Sequence, residues 1–240
     1  MLYYLTLKQT KKNEMLKITL PLFLSSVLSM AFASQQLVVV LSSELNATKG
    51  SMQRYEKQDQ WIKIGEKVPV SLGRSGLGYT AFKEPLKNEG DGRSPAGLFP
   101  ITSTFGYDQN TTFKLPYWHA DENLYCVDDI NDSRYNRILR IYDKTSLPAS
   151  YEVMRRSDGV YRYGAVIGYN DSGVKGRGSC IFIHLNKSDK APTSGCTAMD
   201  EAPLVELLRW LDPVKKPQIL QIMKSECGRY REEFPGIVCE

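Results

Sequence analysis

Short apolar runs, separated by polar and glycine-rich connections, recur along this sequence and predict strands rather than helices. Many are rich in β-branched residues or alternate with polar residues, as strands buried on one or both faces do. We predict strands over residues 36–41, 52–64 (one or two strands), 68–72, 163–169, 181–185 and 219–223. The runs 163–169 and 181–185 flank one polar turn, and we expect these two strands to pair. The chain is therefore predicted to be mainly β.

One stretch near the C-terminus has helical spacing instead. Its apolar positions fall on one face of a helix: Leu204, Leu207, Leu208 and Leu211. Asp200 is a suitable N-cap, and Pro213 ends the pattern. We predict one principal helix here, packed into the core rather than against a partner.

The N-terminus predicts a secretory signal peptide over residues 1–33. Lysines precede an apolar run over residues 16–33, and Ala31 and Ala33 form an A-x-A cleavage site. An uncleaved anchor is the less favoured interpretation, because serines interrupt the run and it is short for a membrane span. No cysteine follows the site, which argues against a lipid anchor. We therefore expect an exported protein with no integral membrane span after signal removal.

Length and charge narrow the function classes further. The chain has 240 residues, of which 42% are hydrophobic, enough for one sizeable domain or two small ones. Its net charge is +4, but the predicted signal contributes +3 and the remainder is almost neutral. No basic stripe remains, so we expect no nucleic-acid binding. We divide the mature chain into an N-terminal β segment, 34–71, packed on a catalytic domain, 72–223, with a C-terminal tail, 224–240.

All five cysteines lie after residue 33, where export permits disulfides. An odd number leaves at least one thiol free. If Cys196 is free, the other four allow three full pairings, of which Cys227 with Cys239 is preferred. No Cys/His cluster has zinc-ligand spacing, so we expect neither a metal nor a cofactor.

The most informative stretch is residues 176–199. It runs from a glycine-rich turn into a strand that starts at Cys180 and ends near His184, and a small-residue turn then presents Cys196. Cys180 would lie roughly 13 Å along the same strand from the histidine, too far for a hydrogen bond. Cys196 lies across a loop, so the chain can fold back and form a nucleophile–base pair with His184.

Each of these residues also has an ordinary interpretation. A single cysteine is most often a small buried hydrophobe or half of a disulfide, and a histidine at a strand end is usually only hydrogen-bonded. Because Gly195 directly precedes Cys196 and His184 ends a strand, we favour catalysis.

Three other features are assigned supporting roles. The glycine-rich stretch 73–79 is expected to form a cleft wall or a plain turn, and 88–99 a connecting loop. A polar group after residue 127 is expected to be a scaffold that pins a loop: Asp128, Asp129, Ser133, Tyr135 and Asn136. His119 is expected to be a surface histidine.

Together these blocks resemble the L,D-transpeptidase catalytic domain (YkuD-like) family of bacterial cell-wall enzymes, over roughly residues 72–223. The blocks that carry the resemblance are GRSGLGY (73–79), NEGDGRSPAGLF (88–99), the polar group at 128–136, VIGYN (166–170), GRGSCIFIH (176–184) and SGCTAM (194–199).

The resemblance implies a mixed β-sandwich and an acyl transfer on peptidoglycan stem peptides. Cys196 would be the nucleophile and His184 its base, oriented by a backbone carbonyl. Backbone groups around Gly195 and Cys196 would form the oxyanion hole. Release of a terminal D-amino acid and capture of the thioester by an amine would make a cross-link. The periplasm of a Gram-negative envelope is the implied location, and no protein partner is predicted.

Two positions depart from the family pattern. The common motif has a histidine where this chain has Ser194, and an arginine where it has Ala198. Arg177, and after it Arg74 and Arg93, are the candidates for binding the substrate carboxylate, since guanidinium suits bidentate contacts. Ser194 is a further candidate substrate-binding residue.

Three alternatives are retained or excluded. An L,D-carboxypeptidase, in which water takes the thioester, and a non-catalytic peptidoglycan-binding domain remain open. A papain-like peptidase is disfavoured, because both histidines precede Cys196.

Overall fold

The computed structural model describes residues 34–240; the predicted signal peptide, 1–33, lies outside the described residues. The described strands are β1 Gln36–Ser42, β2 Lys49–Lys57, β3 Trp61–Ser71, β4 Leu77–Tyr79, β5 Ser94–Gly106, β6 Tyr117–His119, β7 Leu124–Val127, β8 Ile138–Arg140, β9 Tyr151–Val153, β10 Tyr163–Ile167, β11 Phe182–Leu185, β12 Thr197–Met199 and β13 Gln218–Met223. The α-helix α1 spans Glu201–Trp210, and short 3-10 helices span Lys144–Ser146, Pro213–Lys215 and Lys224–Tyr230. Within residues 34–240, no helix is long and apolar enough to span a membrane.

The main sheet is mixed, with strand order β10-β11-β12-β3-β2-β1-β13-β5-β4. Strand β5 also pairs with β10, so the pairings lead from β10 around the sheet and back to it. Strands β10 and β11 pair antiparallel, as predicted, while β11 and β12 run parallel. Strands β8, β7 and β9 form a separate three-stranded sheet. The predicted mainly β, mixed architecture with one principal helix after the Cys196 turn is confirmed.

Strand β1 shows why the apolar runs fold in this way. All of its residues are buried, and successive side chains point to opposite faces. Val38 and Val40 pack into one core, which also holds the leucines of α1. Leu37, Val39 and Leu41 pack into a second core on the other face. The strand is therefore buried between two cores, and its sequence is apolar without interruption.

Helix α1 begins and ends close to its predicted limits, and Leu204, Leu207 and Leu208 are its buried residues. Asp200 is the N-cap residue, as predicted, but its side chain makes no capping hydrogen bond. Its carboxylate instead accepts bonds from Asn186 Nδ2 at 2.9 Å and Lys190 Nζ at 2.8 Å. The carboxylate thus fastens the loop after β11 to the start of the helix.

The cysteines divide into two disulfides and one thiol. Cys227 and Cys239 are bonded, as predicted, and Cys126 pairs with Cys180. Cys196 is the free cysteine and is buried. The bond from Cys126 joins the three-stranded sheet to the segment that precedes β11.

Candidate active site

One cleft brings Cys196 and His184 together. It holds about 110 Å³ and is also lined by Ser194, Ala198 and Thr193. The register of the parallel pair β11–β12 places His184 opposite Ala198, two residues after Cys196. The strand pairing therefore puts the imidazole beside the segment that carries the thiol, across the loop that separates them in sequence.

Hydrogen bonds fix the turn that carries the thiol. Thr193 donates its N–H to Leu72 O at 2.9 Å and accepts the Arg74 N–H on its own carbonyl at 2.8 Å. The Cys196 carbonyl accepts from Thr193 Oγ1 at 2.6 Å and from Ser94 Oγ at 3.1 Å. Three of these hydrogen bonds fix the turn to Leu72, to Arg74 and to the first residue of β5, and the bond from Thr193 Oγ1 lies within the turn itself.

Glycine is required where these backbones meet. Gly195 has φ of 147°, and a Cβ there would lie 3.0 Å from Arg93 O. A Cβ on Gly73 would lie 2.3 Å from Gly92 O. The two glycine-rich stretches, predicted as a cleft wall or turn and as a connecting loop, therefore let the chain pack closely behind Cys196.

The Cys196 sulfur has two backbone neighbours. The Phe182 N–H donates to Sγ at 3.3 Å, and Sγ lies 3.6 Å from Cys180 O. The prediction that the strand starts at Cys180 is wrong, because β11 begins at Phe182. Cys180 has φ of 54° and is disulfide-bonded, which turns its backbone out of the strand and towards the thiol.

Two residues of the predicted polar scaffold, Tyr135 and Asn136, hold this same segment, as predicted. Asn136 Oδ1 accepts the Cys180 N–H at 2.9 Å, while its Nδ2 donates to the carbonyls of Tyr169 and Asn170. The Tyr135 hydroxyl accepts the Gly178 N–H at 3.1 Å. Tyr135 and Asn136 therefore pin the loop that leads into β11.

The imidazole of His184 is fixed by a backbone carbonyl. Its Nδ1 lies 2.8 Å from Leu185 O, which can only accept, so Nδ1 carries the proton and Nε2 keeps its lone pair. The Tyr161 ring contacts the imidazole edge-on, with centroids 5.2 Å apart. This carbonyl contact is the one that the family resemblance implies.

Burial keeps both groups neutral at neutral pH. Desolvation lowers the pKa of His184 to about 4, which the bond to Leu185 only partly opposes. Desolvation raises the pKa of Cys196 to about 12, and the nearby Glu152 carboxylate raises it further. The resting pair is therefore thiol and imidazole rather than thiolate and imidazolium.

The His184 shift makes stability depend on pH. A pKa of about 4 against an ordinary 6.5 means that the unfolded chain binds the proton more readily. Stability is then lost as pH falls from 6.5 towards 4, by about 3 kcal/mol. Glu152 opposes this loss, because burial raises its pKa to about 7 and its contribution is lost as pH rises. Comparing variants with the wild type therefore separates the contribution of His184 from that of Glu152.

We expect the change His184→Gln to remove the histidine part of this dependence. When the pH is lowered from 7.5 to 4.5, the free energy of unfolding of the variant should rise by about 3 kcal/mol relative to that of wild type. Denaturant unfolding at both pH values measures the difference. His119→Gln makes the same substitution on β6, outside the residues that line the cleft, and is the matched control. Parallel pH curves for wild type and His184→Gln would contradict the assignment.

The three arginines predicted for substrate binding lie outside the residues that line the cleft. The Arg93 guanidinium donates to Asn46 Oδ1 and to the carbonyls of Ser75 and Leu77. Arg74 donates to Gly90 O at 3.0 Å. For Arg93 and Arg74, the contacts show a structural use of the side chain.

Arg177 is half-buried, and its carbonyl accepts from the Tyr169 hydroxyl. Of the four predicted substrate-binding residues, Ser194 lines the cleft. The cations that line it are Arg156 and Lys187. Substrate binding by Arg177, Arg74 or Arg93 stays a prediction.

Sequence reasoning missed one wall of the cleft. It consists of Glu152, Arg156 and Tyr161, which come from β9 and the connection to β10. The Tyr161 hydroxyl donates to Glu152 Oε2, and the Arg156 guanidinium lies 5.2 Å from the centre of the Tyr161 ring. The only available indication was the density of charged and aromatic residues over 152–163, EVMRRSDGVYRY.

A buried free thiol that lines the same cleft as an imidazole whose Nδ1 is held by a carbonyl is the arrangement of a cysteine nucleophile with a histidine base. A sequence profile of the L,D-transpeptidase catalytic domain matches residues 46–219, and the chain belongs to this family. Its members are cysteine-dependent transpeptidases of peptidoglycan and are typically extracytoplasmic. Neither a curated protein nor a solved structure matches the chain significantly.

Proposed function

We infer that this protein is an exported L,D-transpeptidase that acts on peptidoglycan stem peptides through Cys196. The observation that carries the proposal is one cleft lined by both the only free thiol among residues 34–240 and a carbonyl-fixed imidazole, within the catalytic-domain family. Two disulfides in the structure support an oxidising compartment, which we propose is the Gram-negative periplasm.

The proposed reaction has two halves. Nε2 of His184 takes the thiol proton as Sγ of Cys196 attacks the carbonyl between an L-centre and the terminal D-residue. The tetrahedral intermediate collapses, the C–N bond breaks, and the D-amino acid leaves with that proton on its nitrogen. A stem-peptide amine then attacks the thioester and gives up a proton to Nε2, the C–S bond breaks, and Nε2 returns that proton to the cysteine sulfur.

Backbone donors for the intermediate are proposed around the thiol. The Gly195 N–H already donates to Thr193 Oγ1 at 3.1 Å. The Cys196 N–H has no acceptor among residues 34–240. We therefore propose the Cys196 N–H as the first oxyanion donor, with Gly195 required for the shape of the turn.

The family pattern has an arginine where this chain has Ala198. We propose that Arg156 and Lys187 supply the positive charge of that missing arginine. Lys187 is exposed at the cleft, and Arg156 lines it while also bonding Asp158. Ala198 lies opposite His184 in the strand pairing and also lines the cleft. Its small side chain leaves the space beside the imidazole open for the substrate.

Intact-protein mass spectrometry tests the proposal. We expect wild-type protein incubated with a disaccharide-tetrapeptide to gain the donor mass minus its terminal D-residue. Cross-linked products with excess acceptor would establish the transpeptidase, and trimmed products alone would favour the L,D-carboxypeptidase. A folded, reduced protein that gives neither adduct nor product would overturn the catalytic assignment and favour a peptidoglycan-binding domain.

A further inference from the structure

Glu152 lines the same cleft as the reacting thiol, although no motif marks it. The register of β7 and β9 places it directly opposite Cys126, whose disulfide partner Cys180 contacts the Cys196 sulfur. Residues directly opposite in an antiparallel pair share a face of the sheet. Among the described residues that line the cleft, Glu152 is the only one with a carboxylate.

The carboxylate of Glu152 has an unused oxygen. Oε2 accepts the Tyr161 hydroxyl, whereas Oε1 accepts no hydrogen bond from residues 34–240. Arg156, a cation that lines the same cleft, is already bonded to Asp158 through Nε at 2.9 Å and Nη2 at 2.6 Å. Within the described chain, Glu152 therefore has a hydroxyl partner but no ion-pair partner.

The surroundings of Glu152 are short of positive charge. Burial raises the pKa of Glu152 to about 7, and the carboxylates of Asp128 and Glu89 add to this effect, while Arg156 opposes it. Asp128 also has a buried Oδ1 without a hydrogen-bond partner in the described part of the chain. A cation placed in the cleft against Glu152 would gain a charge-assisted hydrogen bond and relieve this repulsion.

We propose that Glu152 binds a primary ammonium group of the donor stem peptide, through Oε1, beside Cys196. This inference rests on the proposed function and adds a specificity residue to it. Because the Glu152 charge holds the Cys196 pKa up, an ammonium group bound there would favour the thiolate. Binding of the correct donor would thus also assist removal of the thiol proton.

The first test compares two donors on wild-type protein. One is a tetrapeptide whose third residue is a diamino acid with a free side-chain amine, and the other carries the same amine acetylated. We expect acylation of Cys196, followed by intact mass, to be roughly ten- to a hundredfold faster with the free amine. Equal acylation rates would overturn the inference and leave the proposed function standing. No acylation by either donor would overturn both.

The second test uses Glu152→Gln, which keeps an oxygen acceptor for Tyr161 but removes the charge. We expect the variant to lose its preference for the free amine, while alkylation of Cys196 by iodoacetamide at pH 9 becomes faster than in wild type. These opposite changes distinguish ammonium binding from a merely structural role, which predicts slower acylation of both donors with the preference retained. Glu66→Gln, exposed on β3, is the matched control and should change neither rate. A retained preference in a folded Glu152→Gln protein would contradict the inference.

Discussion

Replacing Cys196 with alanine is expected to abolish turnover and the donor adduct. No other thiol can substitute, because the remaining four cysteines are held in two disulfides. The neighbouring hydroxyls of Thr193 and Ser94 are bonded to the Cys196 carbonyl. Loss of a covalent nucleophile removes the thioester step itself, so the rate should fall to that of the uncatalysed reaction.

Two measurements make this prediction decisive. Thiol titration in denaturant without reductant should find one thiol in mature wild type and none in Cys196→Ala. Thermal unfolding should show that the variant is folded, because the change from cysteine to alanine removes only one buried sulfur atom. Near-normal activity in the purified variant would show that another residue is the nucleophile.

Why the sequence predicts the Cys–His pair is visible in the strand order. His184 and Cys196 lie on consecutive parts of the chain, and the pairing of β11 with β12 brings the strand that directly follows Cys196 alongside His184. The apolar run of β1 likewise predicted a strand correctly. A strand that is buried between two cores has no polar face, so its sequence is apolar throughout. Local sequence is sufficient to predict a structural feature when the contacts that form it join segments close together in the chain.

The opposite holds for the missed wall of the cleft. Glu152 reaches the site through the pairing of β9 with β7, and through a disulfide between Cys126 and Cys180 that the sequence left open among three pairings. The positive φ of Cys180 likewise follows from distant contacts, to Asn136 and to Cys126. Such features depend on tertiary structure, which periodicity does not encode.

Asp200 shows a further way in which the structure differs from the sequence-based prediction. Its position before α1 was predicted correctly, because aspartate is favoured at an N-cap. Its carboxylate nevertheless bonds Asn186 and Lys190, two side chains on the loop between His184 and Cys196. A tertiary contact that orders this loop has replaced the local capping bond.

The change His184→Gln is expected to lower the acylation rate at least ~100-fold, the low end for a positioned base. The buried thiol has its pKa raised to about 12, so almost no thiolate exists at pH 7 without an acceptor for its proton. Glutamine retains much of the volume and an N–H that can donate to Leu185 O, but its amide cannot take up the proton. The loss should therefore be chemical rather than a result of unfolding.

The pH dependence of the variant separates a base from a positioning residue. If Nε2 accepts the proton, the acylation rate of His184→Gln should rise with pH as thiolate forms directly, and the deficit against wild type should narrow above pH 9. His119→Gln, with the same substitution on β6, should acylate at the wild-type rate. A deficit that stays constant up to pH 10, with the variant folded, would mean that His184 only shapes the cleft and that the thiol loses its proton to another group. Glu152, which lines the same cleft, would then be the group to test, because its pKa of about 7 is close to that of an effective base at neutral pH.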